Sequence, residues 1–163
     1  DASAGSLGHG LSMAVGLGLG AKYLKKDYKT VCLMGDGECC EGSVWEAAMS
    51  AAHFKLDNVI GIVDRNRLMI DGFTEDVMAL EPFADKWRAF GWEVIEVDGH
   101  DLDAMDDALA KAWAAKGKPT LILANTIKGK GVSFMENDIL WHYRTPQGDE
   151  YDAALKELEA QRP

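Results

Sequence analysis

The sequence predicts an α/β fold in which a parallel sheet carries helices on both faces. Short apolar runs typical of buried strands alternate with longer segments of helical pattern, an alternation characteristic of parallel sheets. The 163 residues, of which 47% are hydrophobic, suffice for one domain with a sizeable core. Neither an internal repeat nor a low-complexity linker divides the chain, so we expect residues 1–163 to form a single domain.

The predicted strands are short apolar runs bounded by turn residues or charges. We expect them at Thr30–Met34, Val59–Val63, Glu93–Val97 and Pro119–Ala124. The third run alternates between charged and apolar residues, which indicates a more exposed position in the sheet than the other three.

The predicted helices precede, connect and follow these strands. They lie at about Gly10–Lys26, Ser43–Phe54, Pro82–Phe90, Asp101–Ala115 and Asp149–Gln161. In the first helix, three glycines at positions 16, 18 and 20 each cost about 1 kcal/mol relative to alanine. We therefore expect this helix to pack its backbone closely against another element. A long loop at 125–148, rich in glycine and aromatic residues, is typical of a functional segment.

Composition and charge exclude several classes of function. The formal net charge of −10 argues against nucleic-acid binding, which usually needs a basic face. No apolar run approaches the roughly 20 residues of a membrane span, and the N-terminus lacks a signal-peptide pattern. Cys32, Cys39 and Cys40 are an odd set with neither a disulfide nor a zinc spacing. We expect a cytoplasmic protein in which Cys39 and Cys40 are small buried groups.

Asp36 and Asn66 form the most informative pair of polar residues. Each follows the carboxyl end of a predicted strand, and one helix joins the two strands, so both side chains should emerge at the same rim of a parallel sheet. A carboxylate and an amide oxygen suit a hard cation such as Mg²⁺ or Ca²⁺. Gly-Asp-Gly could also be only a tight turn. A dinucleotide site is less consistent, because Gly42 is late for that motif and an acidic residue sits inside the turn.

Four segments resemble the thiamine diphosphate-binding part of transketolase. They are residues 5–12 (GSLGHGLS), 35–48 (GDGECCEGSVWEAA), 68–72 (LMIDG) and 128–136 (KGKGVSFME). The resemblance extends over nearly the whole chain, and the combination of the four segments is highly specific. The chain is most similar to the N-terminal subunit of a split transketolase, with the thiamine diphosphate-binding fold that this family shares.

The resemblance implies a role for each matching residue. Thiamine diphosphate and Mg²⁺ are the implied cofactors. The implied metal ligands are Asp36, Asn66 and the Leu68 carbonyl. Gly5, Leu7 and the Gly37 amide would contact the cofactor. His142 would bind near the diphosphate and the substrate and act in catalysis. Glu41, the second implied catalytic residue, would link paired active sites at a subunit interface.

The implied activity is transfer of a two-carbon ketol unit from a ketose, which we expect to be phosphorylated, to an aldose. The implied partner is a transketolase C-terminal subunit that carries the pyrimidine-binding domain, in a dimer of heterodimers. Family members carry a further segment before the position that matches Asp1, so we expect an N-terminal truncation and little activity from this chain alone. Two alternatives stay open: another thiamine diphosphate enzyme such as deoxyxylulose-phosphate synthase, and a non-catalytic remnant that only binds a partner.

Overall fold

A computed structural model describes residues 2–3 and 5–162 of the chain. The predicted domain of residues 1–163 therefore includes three residues, at positions 1, 4 and 163, that lie outside the described part. The helices are α1 (Gly10–Tyr23), α2 (Gly42–His53), α3 (Thr74–Val77), α4 (Phe83–Ala89), α5 (Leu102–Ala114) and α6 (Asp149–Ala160). The strands are β1 (Thr30–Gly35), β2 (Val59–Arg65), β3 (Leu68–Met69), β4 (Gly72–Phe73), β5 (Glu93–Asp98) and β6 (Thr120–Asn125).

The main sheet has four parallel strands in the order β1-β2-β6-β5. The chain leaves β2, crosses to the far edge at β5 and returns to β6 in the middle. The α/β prediction is confirmed, and all four predicted strands are present. The prediction that the third is the more exposed is also confirmed, because β5 is an edge strand with exposed and half-buried residues along its length.

Helices cover both faces of this sheet, as the sequence predicts. On one face, α1, α2 and α4 pack on residues such as Val59, Val63 and Leu121. On the other face, α5 packs on Ile60 and Ile122. Successive residues of β2 therefore point to opposite faces, and both faces are apolar because both are buried. Within the described part of the chain, no helix combines the length and apolar character needed to cross a bilayer.

Of the glycines at positions 16, 18 and 20 of helix α1, only Gly18 packs tightly against another element. A Cβ atom placed on Gly18 would lie 2.4 Å from Val59 Cγ2, whereas Gly16 and Gly20 face open space. The expectation of close packing is thus right for Gly18 and wrong for the other two. The helix also ends earlier than predicted, because Lys25 adopts φ +52° and reverses the chain in a left-handed cap.

Two small elements between β2 and α4 were not predicted. The strands β3 and β4 pair as a short antiparallel hairpin, Leu68 opposite Phe73, and the single-turn helix α3 follows. In the long loop after β6, a short 3-10 helix spans Ile139–His142 and contacts β3. This hairpin and this loop together cover the carboxyl-terminal rim of the sheet.

Candidate functional site

The carboxyl ends of the parallel strands are level with one another, so the residues that follow them gather at one rim. Gly35 pairs with Asp64 across β1 and β2, and Arg65 pairs with Asn125 across β2 and β6. Asp36 and Asn66 come immediately after the first two of these strands. The rim of an open parallel sheet is where such folds bind ligands.

Asp36 is buried and its carboxylate is held by three donors. Its Oδ1 accepts from the Gly37 amide at 2.7 Å. Its Oδ2 accepts from Arg65 Nη1 at 3.1 Å and from the Arg67 amide at 2.6 Å. The backbone amide of Asp36 also donates to the Asp64 carbonyl at 3.2 Å. Both the position and the orientation of this carboxylate are therefore fixed by the protein.

The loop at 66–68 lies directly against Asp36, because the Arg67 amide donates to its carboxylate. Arg67 has φ +65°, a conformation that residues other than glycine rarely adopt. Asn66 Oδ1 accepts from the Leu68 amide at 2.9 Å, which orients the Asn66 side chain within the loop. The structure thus brings together the three residues predicted to bind a metal: Asp36, Asn66 and Leu68.

This donor set fits a magnesium ion bound together with a phosphate ligand. Carboxylate, amide and carbonyl oxygens are hard ligands, and three of them leave room in an octahedron for water and phosphate oxygens. Across residues 2–3 and 5–162, no group of three or more His, Cys, Asp or Glu side chains gathers as a metal site would require. A metal at this rim would therefore depend on amide and carbonyl oxygens and on ligands from outside the chain.

Gly37 follows Asp36 in a crowded turn. A Cβ atom at this position would lie 3.0 Å from Met69 Cβ, so the hairpin that carries Met69 leaves no room for a side chain. The Gly37 amide is bound to the Asp36 carboxylate in this structure, and its contact with a diphosphate stays a prediction.

Glu38 ties the loop at 5–9 to the Asp36 turn. Its Oε1 accepts from the Gly8 amide at 2.9 Å and its Oε2 accepts from the Gly35 amide at 3.2 Å. Ser43 Oγ donates to the Gly8 carbonyl at 2.8 Å. Gly5 and Leu7, the predicted cofactor contacts, are exposed in this loop. Their loop is anchored through Gly8 to Glu38 and Ser43, and the contacts of Gly5 and Leu7 with a cofactor stay predictions.

Glu41 is exposed at the beginning of α2 and packs against Gly8. An exposed carboxylate beside the loop at 5–9 is accessible to a second subunit. The role of Glu41 at an interface stays a prediction.

His142 is exposed at the end of the 3-10 helix that contacts β3. The preceding Trp141 anchors this segment, since its Nε1 donates to the Phe134 carbonyl at 3.0 Å. The Arg144 guanidinium stacks over the Trp141 ring at 4.9 Å and pairs with Glu150 at 2.6 Å. Arg144 is therefore already engaged within the chain, while the 3-10 helix that ends at His142 contacts β3, the strand that begins at Leu68.

Two adjoining open grooves of about 610 and 750 Å³ run along this rim. They share Asn66, His100, Thr126, Ile127 and Lys130 as lining residues. His100 Nε2 accepts from the Ile127 amide at 2.8 Å and so fixes the start of the loop after β6. Asp36 lines neither groove, because it is buried beneath the rim.

Arg65 is a functional candidate that the sequence analysis missed. Its side chain is 2% exposed and donates to Asp36, Thr74, Glu75 and Glu81. Burial alone would lower its pKa, but the hydrogen bonds to Glu81 and Asp36 outweigh burial and raise the pKa above its ordinary value. The sequence did contain a signal for Arg65. It is a charged residue that ends a buried strand at a position facing the core, directly before Asn66.

The three cysteines are free thiols. Cys39 is buried, as predicted, but Cys40 is exposed, so the prediction that both are buried is wrong for Cys40. In the 3-10 turn Gly37–Cys40, successive side chains point about 120° apart, so one of the two cysteines can be buried while its neighbour is exposed. Burial raises the pKa of Cys32 to about 11 and that of Cys39 well above its ordinary value. Neither buried thiol is suited to act as a nucleophile near neutral pH.

Comparisons with known proteins agree with this geometry. The family model described as "Transketolase, thiamine diphosphate binding domain" matches residues 1–160. The chain is 47% identical over 158 residues to a Phocaeicola vulgatus protein named as one subunit of apulose-4-phosphate transketolase, covering 97% of this chain and 56% of that protein. It is 45% identical over 159 residues to the 6-deoxy-6-sulfo-D-fructose transketolase subunit SqwG of a Clostridium species, covering 98% and 58%.

A solved transketolase from Campylobacter jejuni superposes with a TM-score of 0.85 at 34% identity, covering 95% of this chain and 25% of that one. The chain thus spans somewhat more than half the length of the curated subunits that it matches, and a quarter of this longer chain.

Proposed function

Since the chain belongs to the transketolase thiamine diphosphate-binding domain family, we propose that it holds the diphosphate end of thiamine diphosphate through a Mg²⁺ ion. Asp36, Asn66 and the Leu68 carbonyl would bind the metal. The 2.6 Å hydrogen bond from the Arg67 amide to the Asp36 carboxylate carries this proposal, because it holds the Asn66 loop against Asp36, the one carboxylate that is buried in the described part of the chain.

A metal resolves an electrostatic conflict at this rim. The chain has a formal net charge of −10, and a bare diphosphate next to Asp36 would meet like charge. A divalent cation between the two neutralises part of both charges and shares its coordination sphere between protein and phosphate oxygens.

The proposed reaction is transfer of a two-carbon ketol unit from a ketose to an aldose. Thiamine diphosphate, when bound, supplies the electron sink for cleaving the carbon–carbon bond of the donor. The chain itself anchors the diphosphate at the Asp36 turn and orients the cofactor through Gly5, Leu7 and the Gly37 amide. His142 would move a proton at a substrate hydroxyl; its side chain is exposed, and the 3-10 helix that carries it contacts β3.

A second subunit would complete the site. The two curated relatives described above are named as subunits, and this chain spans 56–58% of their length. We propose that the partner is a transketolase C-terminal subunit with the pyrimidine-binding domain and the glutamate that activates the cofactor. Glu41, exposed beside the loop at 5–9, would lie at the contact within a dimer of heterodimers. The cytoplasmic location indicated by the cysteines remains part of the proposal.

The substrate is proposed only by chemical class. One relative is named for a sugar phosphate and another for a sulfonated sugar, so the shared feature is a ketose with an anionic group at its far end. Phosphorylated ketoses are the first class to test, and sulfonated ketoses are the second.

The test is reconstitution of the chain, with any upstream segment restored, and a transketolase C-terminal subunit. With Mg²⁺ and thiamine diphosphate, we expect ketol transfer from a phosphorylated ketose, followed by product analysis. Asp36→Ala should abolish it, whereas the matched Asp107→Ala, on the exposed face of α5, should leave it unchanged. Products formed from pyruvate would favour a deoxyxylulose-phosphate synthase instead. Assembly with the partner but no turnover would favour the partner-binding remnant.

A further inference from the structure

The Asp36 carboxylate has only one oxygen left for a metal. A carboxylate offers about four lone-pair positions, two on each oxygen. On Oδ2 both are taken, by Arg65 Nη1 at 3.1 Å and by the Arg67 amide at 2.6 Å. On Oδ1 one is taken, by the Gly37 amide at 2.7 Å. The capacity left for a metal lies on Oδ1 alone, whether or not the Gly37 amide turns to the cofactor, so Asp36 can bind a metal through one oxygen but not through both.

Arg65 keeps that restriction in place because it cannot turn away from Asp36. All four N–H groups of its two terminal nitrogens are used: Nη1 donates to Asp36 and to Thr74 at 2.8 Å, and Nη2 donates to Glu75 at 3.2 Å and to Glu81 at 2.8 Å. The side chain is also buried. Glu81 is itself held by the Phe83 amide at 2.7 Å, so the guanidinium is fixed from the side opposite Asp36.

The number of oxygens that a carboxylate can offer discriminates between divalent cations. Ca²⁺ takes six to eight oxygen ligands and often binds both oxygens of one carboxylate, whereas Mg²⁺ requires a compact octahedron and binds carboxylates through single oxygens. Locking one oxygen of Asp36 therefore disfavours Ca²⁺ more than Mg²⁺.

We propose that Arg65 is a positioning residue that restricts Asp36 to one-oxygen metal binding and so favours Mg²⁺ over Ca²⁺ at this site. This inference rests on the proposed function, because it assumes that Asp36 is a metal ligand. It assigns a role in metal selection to a residue that would not itself touch the metal or the cofactor.

The experiment measures how Mg²⁺ and Ca²⁺ displace Mn²⁺ from the full chain in the presence of thiamine diphosphate, with bound Mn²⁺ followed by electron paramagnetic resonance. Arg65→Met removes one of the two donors to Oδ2 and should shift the preference toward Ca²⁺ by about tenfold or more, the order expected for one charge-assisted hydrogen bond. Free thiamine diphosphate competes for metal equally in every sample, so only the change between variants is interpreted. Arg88→Met, which removes an exposed arginine with two ion pairs, should leave the preference unchanged.

Each outcome decides either the inference or the proposed function. If Arg65→Met lowers the affinities for Mg²⁺ and Ca²⁺ by the same factor, Arg65 only stabilises the fold, and the inference is overturned. Arg65→Lys keeps a charge but has one nitrogen for four acceptors, so it should shift the preference in the same direction by a smaller factor. If the Met variant does not fold, an unchanged preference in Arg65→Lys overturns the inference. Failure of the wild-type chain to bind Mn²⁺ even when reconstituted with the transketolase C-terminal subunit would instead reject the proposed function.

Discussion

Replacing Gly8 by alanine tests whether the loop at 5–9 is seated against the start of α2. Gly8 has φ +78°, and a Cβ atom there would lie 2.8 Å from Glu41 Cβ and 3.0 Å from Ser43 Oγ. Gly117 is the matched control, since it has φ +77° with nothing within 4 Å of a Cβ atom. Both substitutions therefore impose the same backbone conformation on alanine, and only Gly8→Ala adds a collision.

The expected losses in the free energy of unfolding come from two sources, the left-handed backbone conformation and the collision of the added Cβ atom. A left-handed conformation costs an alanine about 1–2 kcal/mol, of which about 0.4–1 kcal/mol is offset by the reduced entropy of the unfolded chain. Gly117→Ala should thus destabilise the fold by about 1 kcal/mol. The collision at Gly8 involves Cβ of Glu41, which cannot move without the helix, and should add about 1–3 kcal/mol.

Urea unfolding followed by tryptophan fluorescence measures both free energies of unfolding, with the slope against urea expected to be unchanged. The melting temperature of Gly8→Ala should lie below that of Gly117→Ala by about 2–4 °C for each kcal/mol of difference. Equal losses in the two variants would refute the placement of the loop. The predicted contacts of Gly5 and Leu7 with the cofactor would then lose their structural support.

Three further predictions concern other parts of the chain. Gly18→Ala should destabilise the fold through its collision with the sheet, whereas Gly16→Ala should stabilise it by up to about 1 kcal/mol; urea unfolding that ranks the two variants in the opposite order would contradict the packing of α1. Iodoacetamide at pH 8, followed by mass spectrometry of the folded protein, should modify the exposed Cys40 first and leave Cys32, with a pKa of about 11, largely unmodified; faster labelling of Cys32 would be inconsistent with its burial. The Phe83 amide and then the Arg65 guanidinium lower the pKa of Glu81. The contribution of Glu81 to stability should therefore be complete above about pH 4.5 and be lost as the pH falls through the lowered pKa. Glu81→Gln should flatten the fall in stability between pH 6 and pH 3, and an unchanged pH profile would argue against this ion pair.

The positions of the main strands and helices follow from local pattern, which is why they could be predicted. An apolar run such as Val59–Val63 is stable as a strand only when both of its faces are buried. Asp101 is a strong N-cap for α5, because its side chain accepts from the Ala104 amide at 3.0 Å. Asp36 and Asn66 could be placed at one rim because parallel strands joined by a helix end on the same side of the sheet.

The features that sequence pattern missed depend on single backbone conformations and on long-range pairs. Arg67 and Lys25 adopt positive φ values that their residue types do not suggest, and these conformations set the Asn66 loop and the end of α1. Arg65 pairs with Asp36, 29 residues earlier, and with three residues that lie 9 to 16 residues further along the chain, beyond a hairpin too short to show a strand pattern. Neighbours in sequence give no information about such contacts, and the orientation of the Asp36 carboxylate depends on them.

The position of a bound metal tests the central claim most directly. Crystals of the chain grown with Mn²⁺ and thiamine diphosphate, measured for the anomalous scattering of manganese, locate the ion without reference to activity. We expect one peak at about 2.0–2.3 Å from Asp36 Oδ1, from the Asn66 side-chain oxygen and from the Leu68 carbonyl oxygen, with phosphate oxygens completing the coordination. A peak elsewhere on the chain, or cofactor bound without metal at this rim, would contradict the account.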